Sequence, residues 1–131
     1  MKSPDPAIIL LVDDDPVITM MYQVALERAG YNVLVATNGQ AGLRLAATGH
    51  PDLIILDVRM PDLDGMEVLT RLAADSATGD IPVVMLSNYS ESAIVKKALA
   101  LGAKQYLVKI EMTPGQVADV VGHWLETSHK V

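Results

Sequence analysis

Five short apolar runs, each of four or five residues, alternate along this chain with five amphipathic stretches. The runs read as strands at Ile8–Val12, Asn32–Ala36, Leu53–Leu56, Pro82–Leu86 and Gln105–Val108, each followed by a helix. Strands that are apolar without alternation are buried on both faces, and strand-helix alternation with right-handed crossovers produces a parallel sheet covered by helices. A doubly wound α/β domain is therefore expected. It should be a single domain spanning all 131 residues, with residues 1–6 a flexible lead-in.

The helix boundaries carry their own chemistry. Asp15-Pro16 offers a capping oxygen followed by a proline at the first helical position, where a missing N–H does no harm. Thr37 with Gln40, Asp64 with Glu67, and Thr113 with Gln116 have the spacing at which a cap and the third helical residue satisfy each other's free donors. Helix stops are expected at Gly30, Gly49 and Gly102, because a left-handed terminal residue is cheap for glycine.

Composition excludes several roles. The net charge of −6 argues against capture of nucleic acid, which needs clustered Lys and Arg, so no direct nucleic-acid binding is expected. The absence of cysteine removes disulfides and thiolate metal sites. No apolar stretch approaches the roughly 20 residues that span a bilayer, and the start lacks a signal-peptide core. A cytoplasmic protein without membrane insertion is expected. Since 4% of residues are aromatic and none is Phe, the core must rest on Val, Ile, Leu, Ala and Met. Val117, Val121 and Trp124 recur at helical spacing and read as core, while His50, His123 and His129 lack metal spacing and read as surface residues.

In doubly wound sheets a site forms beyond the carboxyl ends of the strands. Asp13, Asp14, Asp15, Asp57, Ser87 and Lys109 are placed there, and Asp15 is accounted for as a helix cap. An uncompensated buried carboxylate costs several kcal/mol, so the acids should share a partly wet site with cations. Asp13, Asp14 and Asp57 bring three negative charges, which Lys109 and one divalent ion neutralise. Oxygen ligands without Cys or nearby His favour Mg²⁺, and an open Mg²⁺ site beside the Ser87 hydroxyl and the Lys109 ammonium suits a phosphoryl group.

The segments Ile9–Pro16, Leu56–Gly65, Val84–Ser87 and Tyr106–Lys109 together resemble the receiver domain of two-component response regulators, in order and spacing along essentially the whole chain. The resemblance implies a flavodoxin-like sheet of five parallel strands in the order 2-1-3-4-5 with five helices. It also implies that Asp57 accepts a phosphoryl group from a sensor histidine kinase or a histidine phosphotransfer protein. Mg²⁺ would be held by Asp57, by Asp14 directly, by Asp13 mainly through water, and by the backbone carbonyl of Arg59. Lys109 would pair with the phosphoryl group, and Ser87 would turn inward to hydrogen-bond it. Tyr106 would report the change to the surface of the fourth helix, fifth strand and fifth helix, where an unidentified downstream protein or a phosphorylation-dependent dimer would read it. The domain would catalyse only its own phosphorylation and dephosphorylation.

The chain departs from the family at two positions. The family usually has a proline joined by a cis peptide after its lysine, whereas Ile110 follows Lys109; a cis bond before a non-proline costs about 2.5–4 kcal/mol, so a trans bond and an altered loop path are expected. Asn88 stands where Ala or Gly is common after the switch hydroxyl.

Met60-Pro61-Asp62-Leu63-Asp64-Gly65 reads as a turn into a helix, since Met60 occupies the place of a first calcium ligand. Two other functions fit parts of the pattern. Asp13-Asp14-Asp15-Pro16-Val17 matches the Asp-x-Asp-x-Val signature of haloacid-dehalogenase-type phosphatases, but that scheme leaves Asp57 without a role. A receiver-like scaffold that works without phosphorylation is the other. Residues after Lys109 supply one helix and a short tail, so no output domain is expected within this chain.

Overall fold

A computed structural model describes residues 5–128. Five strands, β1 (Ile8–Val12), β2 (Asn32–Ala36), β3 (Leu53–Leu56), β4 (Val83–Ser87) and β5 (Gln105–Val108), form one parallel sheet in the order β2-β1-β3-β4-β5. The helices α1 (Pro16–Arg28), α2 (Gly39–Gly49), α3 (Gly65–Ala74), α4 (Ser92–Ala100) and α5 (Pro114–Ser128) connect and follow them, with a short 3-10 turn over Lys109–Glu111. Of the expected lead-in, residues 1–4 lie outside the described residues, and Asp5 and Pro6 are exposed.

Alternate residues of each strand feed opposite cores. Leu10, Val12, Ile54, Leu56, Val83 and Met85 pack with Ala46 of α2, Val68, Leu69 and Leu72 of α3, and Ala98 of α4. Ile9, Leu11, Leu53, Ile55, Val84 and Leu86 pack with Tyr22 and Leu26 of α1 and with Val117, Val121 and Leu125 of α5. Each Val, Leu, Ile or Met among them, fully buried, contributes about 1.5–3 kcal/mol, so the two layers hold β1, β3 and β4 from both sides. Trp124 is half-buried against the α1/α5 layer and its Nε1–H donates to Gln105 Oε1 at 2.7 Å, in keeping with a packing role. His50 and His123 are exposed, and His129 lies outside the described residues.

Register sets the ends level. Val12 pairs with Ala36 and Leu56, Leu56 with Met85, and Ser87 with Val108, so the residues that follow β1, β3 and β5 emerge together at one rim.

Three boundaries differ from expectation. β4 starts at Val83, one residue beyond Pro82, because proline has no N–H for the ladder, and it extends to include Ser87. The cap of α2 is Asn38, whose Oδ1 accepts from the Ala41 N–H at 2.8 Å. Thr37 is displaced from that role because Asp62, from a distant loop, takes the N–H groups of Gly39 and Gln40, each at 2.9 Å. The same helix runs through Gly49 and ends at His50, whose φ of 49° is left-handed. A Cβ at Gly49 would meet the Cδ1 tip of Leu34 on β2 at 2.6 Å, a side-chain end that can shift aside. The caps at Asp15, Asp64 and Thr113 form as expected, the last reciprocally with Gln116, and Gly30 and Gly102 take positive φ just past their helices.

Candidate phosphoryl-accepting site

Asp13 follows β1, Asp57 follows β3, and Lys109 follows β5, so three strand ends deliver two acids and an amine to one place. Lys109 Nζ lies 2.7 Å from Asp13 Oδ2 and 3.0 Å from Asp57 Oδ2. All three side chains are at least nine-tenths buried. Asp14 is exposed, and its carboxylate lies within 4.8 Å of ligand oxygens on Asp13 and Asp57.

The backbone holds each acid in place. Asp13 Oδ1 accepts the Asp15 N–H at 3.0 Å, and Asp57 Oδ1 accepts the N–H of Val58 at 2.7 Å. Asp15 itself turns away to cap α1, accepting from Val17 and Ile18 at 3.0 and 3.2 Å. Directly beneath Asp57, Gly65 opens α3, and a Cβ there would run into the Asp57 carbonyl. The close approach of α3 to the end of β3 thus requires glycine.

Electrostatics follow from burial. Desolvation raises the Asp57 carboxyl above its ordinary value and outweighs the opposing pull of the Lys109 charge, with Asp13 pushing in the same direction as burial. Lys109 is pulled down by burial but held above its ordinary value by hydrogen bonds and charge from Asp13 and Asp57. Three carboxylates against one ammonium leave two negative charges uncompensated. This oxygen-only donor set fits a hard divalent cation.

Ser87 is fully buried at the end of β4, and its Oγ accepts the Tyr89 N–H at 3.2 Å. Tyr106 is half-buried, and its phenol donates to the backbone carbonyl of Tyr89. The exposed Arg59 places its guanidinium 4.6 Å from the centre of the Tyr89 ring. Asp62 and Asp64 are engaged by helix N–H groups, which suits the turn reading over a calcium loop.

Sequence reasoning missed one participant and one contact. Tyr89 joins Ser87, Tyr106 and Arg59, with adjacency to Ser87 as its one available signal. Asn88 and Ile110, each singled out as a departure from the family, meet: Asn88 Oδ1 accepts the N–H of Ile110 at 3.1 Å. As expected, the peptide before Ile110 is trans, there being no cis bond among the described residues.

Residues 9–120 match the family described as the response regulator receiver domain, and the chain belongs to that family. It is 43% identical over 101 residues to the DNA-binding dual master transcriptional regulator RpaA of Synechocystis, covering 77% of this chain and 42% of RpaA. The chain spans about half, or less, of the length of the curated relatives it matches. A CheY-like receiver domain from Methanospirillum hungatei JF-1 superposes with a TM-score of 0.87 at 25% identity, over 94% of this chain and 96% of that one. The Mn²⁺-bound form of response regulator Rcp1 superposes with a TM-score of 0.81 at 28% identity, over 93% and 96% of the two chains. No helix among the described residues is long and apolar enough to cross a membrane.

Proposed function

We propose that this chain is a single receiver domain of a two-component system or phosphorelay, acting in the cytoplasm, that accepts a phosphoryl group on Asp57 from a histidine kinase or a histidine phosphotransfer protein. The observation that carries this reading is the Lys109 ammonium held between Asp13 and Asp57 at the carboxyl ends of three parallel strands. Phosphoryl transfer asks for an aligned nucleophile and for countercharge on the equatorial oxygens, and little covalent chemistry beyond that.

Asp57 is buried enough to be fixed, and its Oδ1 is held by Val58 while Oδ2 faces Lys109. A carboxylate oxygen of Asp57 attacks phosphorus, and the phosphorus–nitrogen bond of the donor phosphohistidine breaks. The electron pair leaves with the imidazole, which takes up a proton. Lys109 then shares its charge with the new phosphoryl oxygens, and the Ser87 hydroxyl donates to another. Asp13, Asp14, Asp57 and the Arg59 carbonyl would hold Mg²⁺. When bound, that ion supplies the positive charge that Lys109 alone leaves missing. The metal named in the Rcp1 structure supports this assignment.

Ser87 accepts from the Tyr89 N–H, so a turn of its side chain toward a phosphoryl group moves the acceptor of that bond, and Tyr89 is the residue whose carbonyl holds Tyr106. The switch is therefore a shift between two arrangements of one loop, felt at α4, β5 and α5, where a downstream protein or a second copy would read it. The net charge of −6 argues that this chain's own output is protein-directed and not nucleic-acid binding.

Isothermal titration of the chain with beryllofluoride, a phosphoryl mimic, in the presence of Mg²⁺ tests the reading. The expected outcome is saturable binding that Asp57→Asn abolishes. A wild-type chain without a saturable response would mark it as a phosphorylation-independent scaffold.

A further inference from the structure

The two positions at which the chain departs from the receiver pattern meet in space. The Ile110 N–H donates to Asn88 Oδ1 at 3.1 Å, across 22 positions of sequence. That donor exists only because residue 110 is not proline, which has no backbone N–H. The orientation of the carboxamide is fixed by its partner: an N–H must meet the oxygen of Asn88 and not its NH₂.

The bond grips the peptide unit that joins Lys109 to Ile110. Ile110 is 83% exposed, so no packing anchors its side chain. The proline usual here would restrain φ near −65° through its ring, a restraint that isoleucine lacks. Within the 3-10 turn, the Met112 N–H donates to the Lys109 carbonyl at 3.1 Å. On the other side, Asn88 is rooted in β4 through Ser87, the last residue paired in the ladder and fully buried. A rigid strand end thus reaches across to hold the turn from which Lys109 extends.

Resting on the phosphoacceptor reading, we propose that Asn88 is a positioning residue for Lys109. Its carboxamide fixes the Lys109–Ile110 peptide and so aims the ammonium at Asp13 and Asp57, in place of the restraint a proline would supply. Asn88 acts through Lys109 and not on the phosphoryl group itself.

The full chain is compared as wild type, Asn88→Ala, Asn88→Asp, Lys109→Ala and the double variant Asn88→Ala/Lys109→Ala. Amide exchange of Ile110, followed by NMR without any ligand, should speed up about three- to tenfold in Asn88→Ala, the scale of one modest hydrogen bond, and return in Asn88→Asp, which keeps the acceptor oxygen. The NMR signal of the Lys109 ammonium should move in Asn88→Ala. With acetyl phosphate and Mg²⁺, the phosphorylation rate should fall about three- to tenfold in Asn88→Ala, and the same substitution should change nothing once Lys109 is already alanine. An equal fall in both backgrounds overturns the proposal, as does unchanged Ile110 exchange or an unmoved Lys109 signal. Should the wild type take no phosphoryl group, the phosphoacceptor reading fails by itself, while the two NMR comparisons still decide whether Asn88 positions Lys109.

Discussion

Lys109 Nζ is nearer to Asp13, at 2.7 Å, than to Asp57, at 3.0 Å. One ammonium therefore serves two buried carboxylates, and the strand-one acid takes the larger share. Of the two buried acids, Asp57 is the one farther from the ammonium, which suits a residue that is to form a bond to phosphorus.

Removing the shared cation should be costly for folding. Breaking a buried ion pair from one side strands its partner, at about 3–5 kcal/mol. Lys109→Ala is expected to lose stability on that scale in urea denaturation without divalent ions, and to recover part of it when Mg²⁺ is added. Equal losses with and without Mg²⁺ would mean that the acids do not share a cation site.

Asp57 should make stability fall as pH rises. Its folded value lies above the ordinary 3.8, so between those two values the native state binds more protons than the unfolded state, and unfolding becomes easier with each step upward. The window opens near 3.8 and closes at the raised native value. Asp57→Asn should remove this slope and be the more stable form at neutral pH without metal, by about 1–3 kcal/mol. Lys109 contributes in the alkaline range: its stabilisation is complete below the ordinary 10.5 and is lost as pH climbs through its raised native value. Denaturation midpoints across a pH series, with a chelator present, check both slopes.

Gly65→Ala should damage fold and site together. A Cβ there collides with the Asp57 carbonyl and comes within 2.9 Å of Val58 Cα, both backbone atoms that cannot swing aside. Overpacking of this kind costs about 1–3 kcal/mol, and relief by moving Asp57 should slow phosphorylation by acetyl phosphate as well. Unaltered kinetics in a destabilised protein would mean that α3 gives way and not Asp57.

Asp15→Ala separates the helix cap from the acid cluster. Loss of the bonds to Val17 and Ile18 should cost about 1 kcal/mol by thermal or urea unfolding, while beryllofluoride binding persists. A loss of binding would give Asp15 a part in the site that its geometry does not suggest.

The strands were legible because burial on both faces leaves no polar alternation to confuse the pattern: Leu53–Leu56 is buried at every position. The meeting of Asp13, Asp57 and Lys109 was legible for a topological reason. Parallel strands share a direction, so whatever follows their apolar runs arrives at the same rim. What escaped were contacts between loops. Thr37 looked like a cap until Asp62, 23 positions beyond Gly39, proved to occupy the helix donors. Asn88 and Ile110 each stood out as unusual, yet nothing in a linear pattern says that two loop residues face one another. The same holds for Tyr106, whose carbonyl partner Tyr89 has no side-chain signature.

The most direct measurement is intact-mass spectrometry of the full chain after treatment with acetyl phosphate and Mg²⁺. The expected result is the gain of one phosphoryl group by the wild type and by Asp13→Asn, and none by Asp57→Asn. Modification that survives in Asp57→Asn and disappears in Asp13→Asn would contradict the account, because the strand-one acid would then be the nucleophile, as in phosphatases of the haloacid-dehalogenase type.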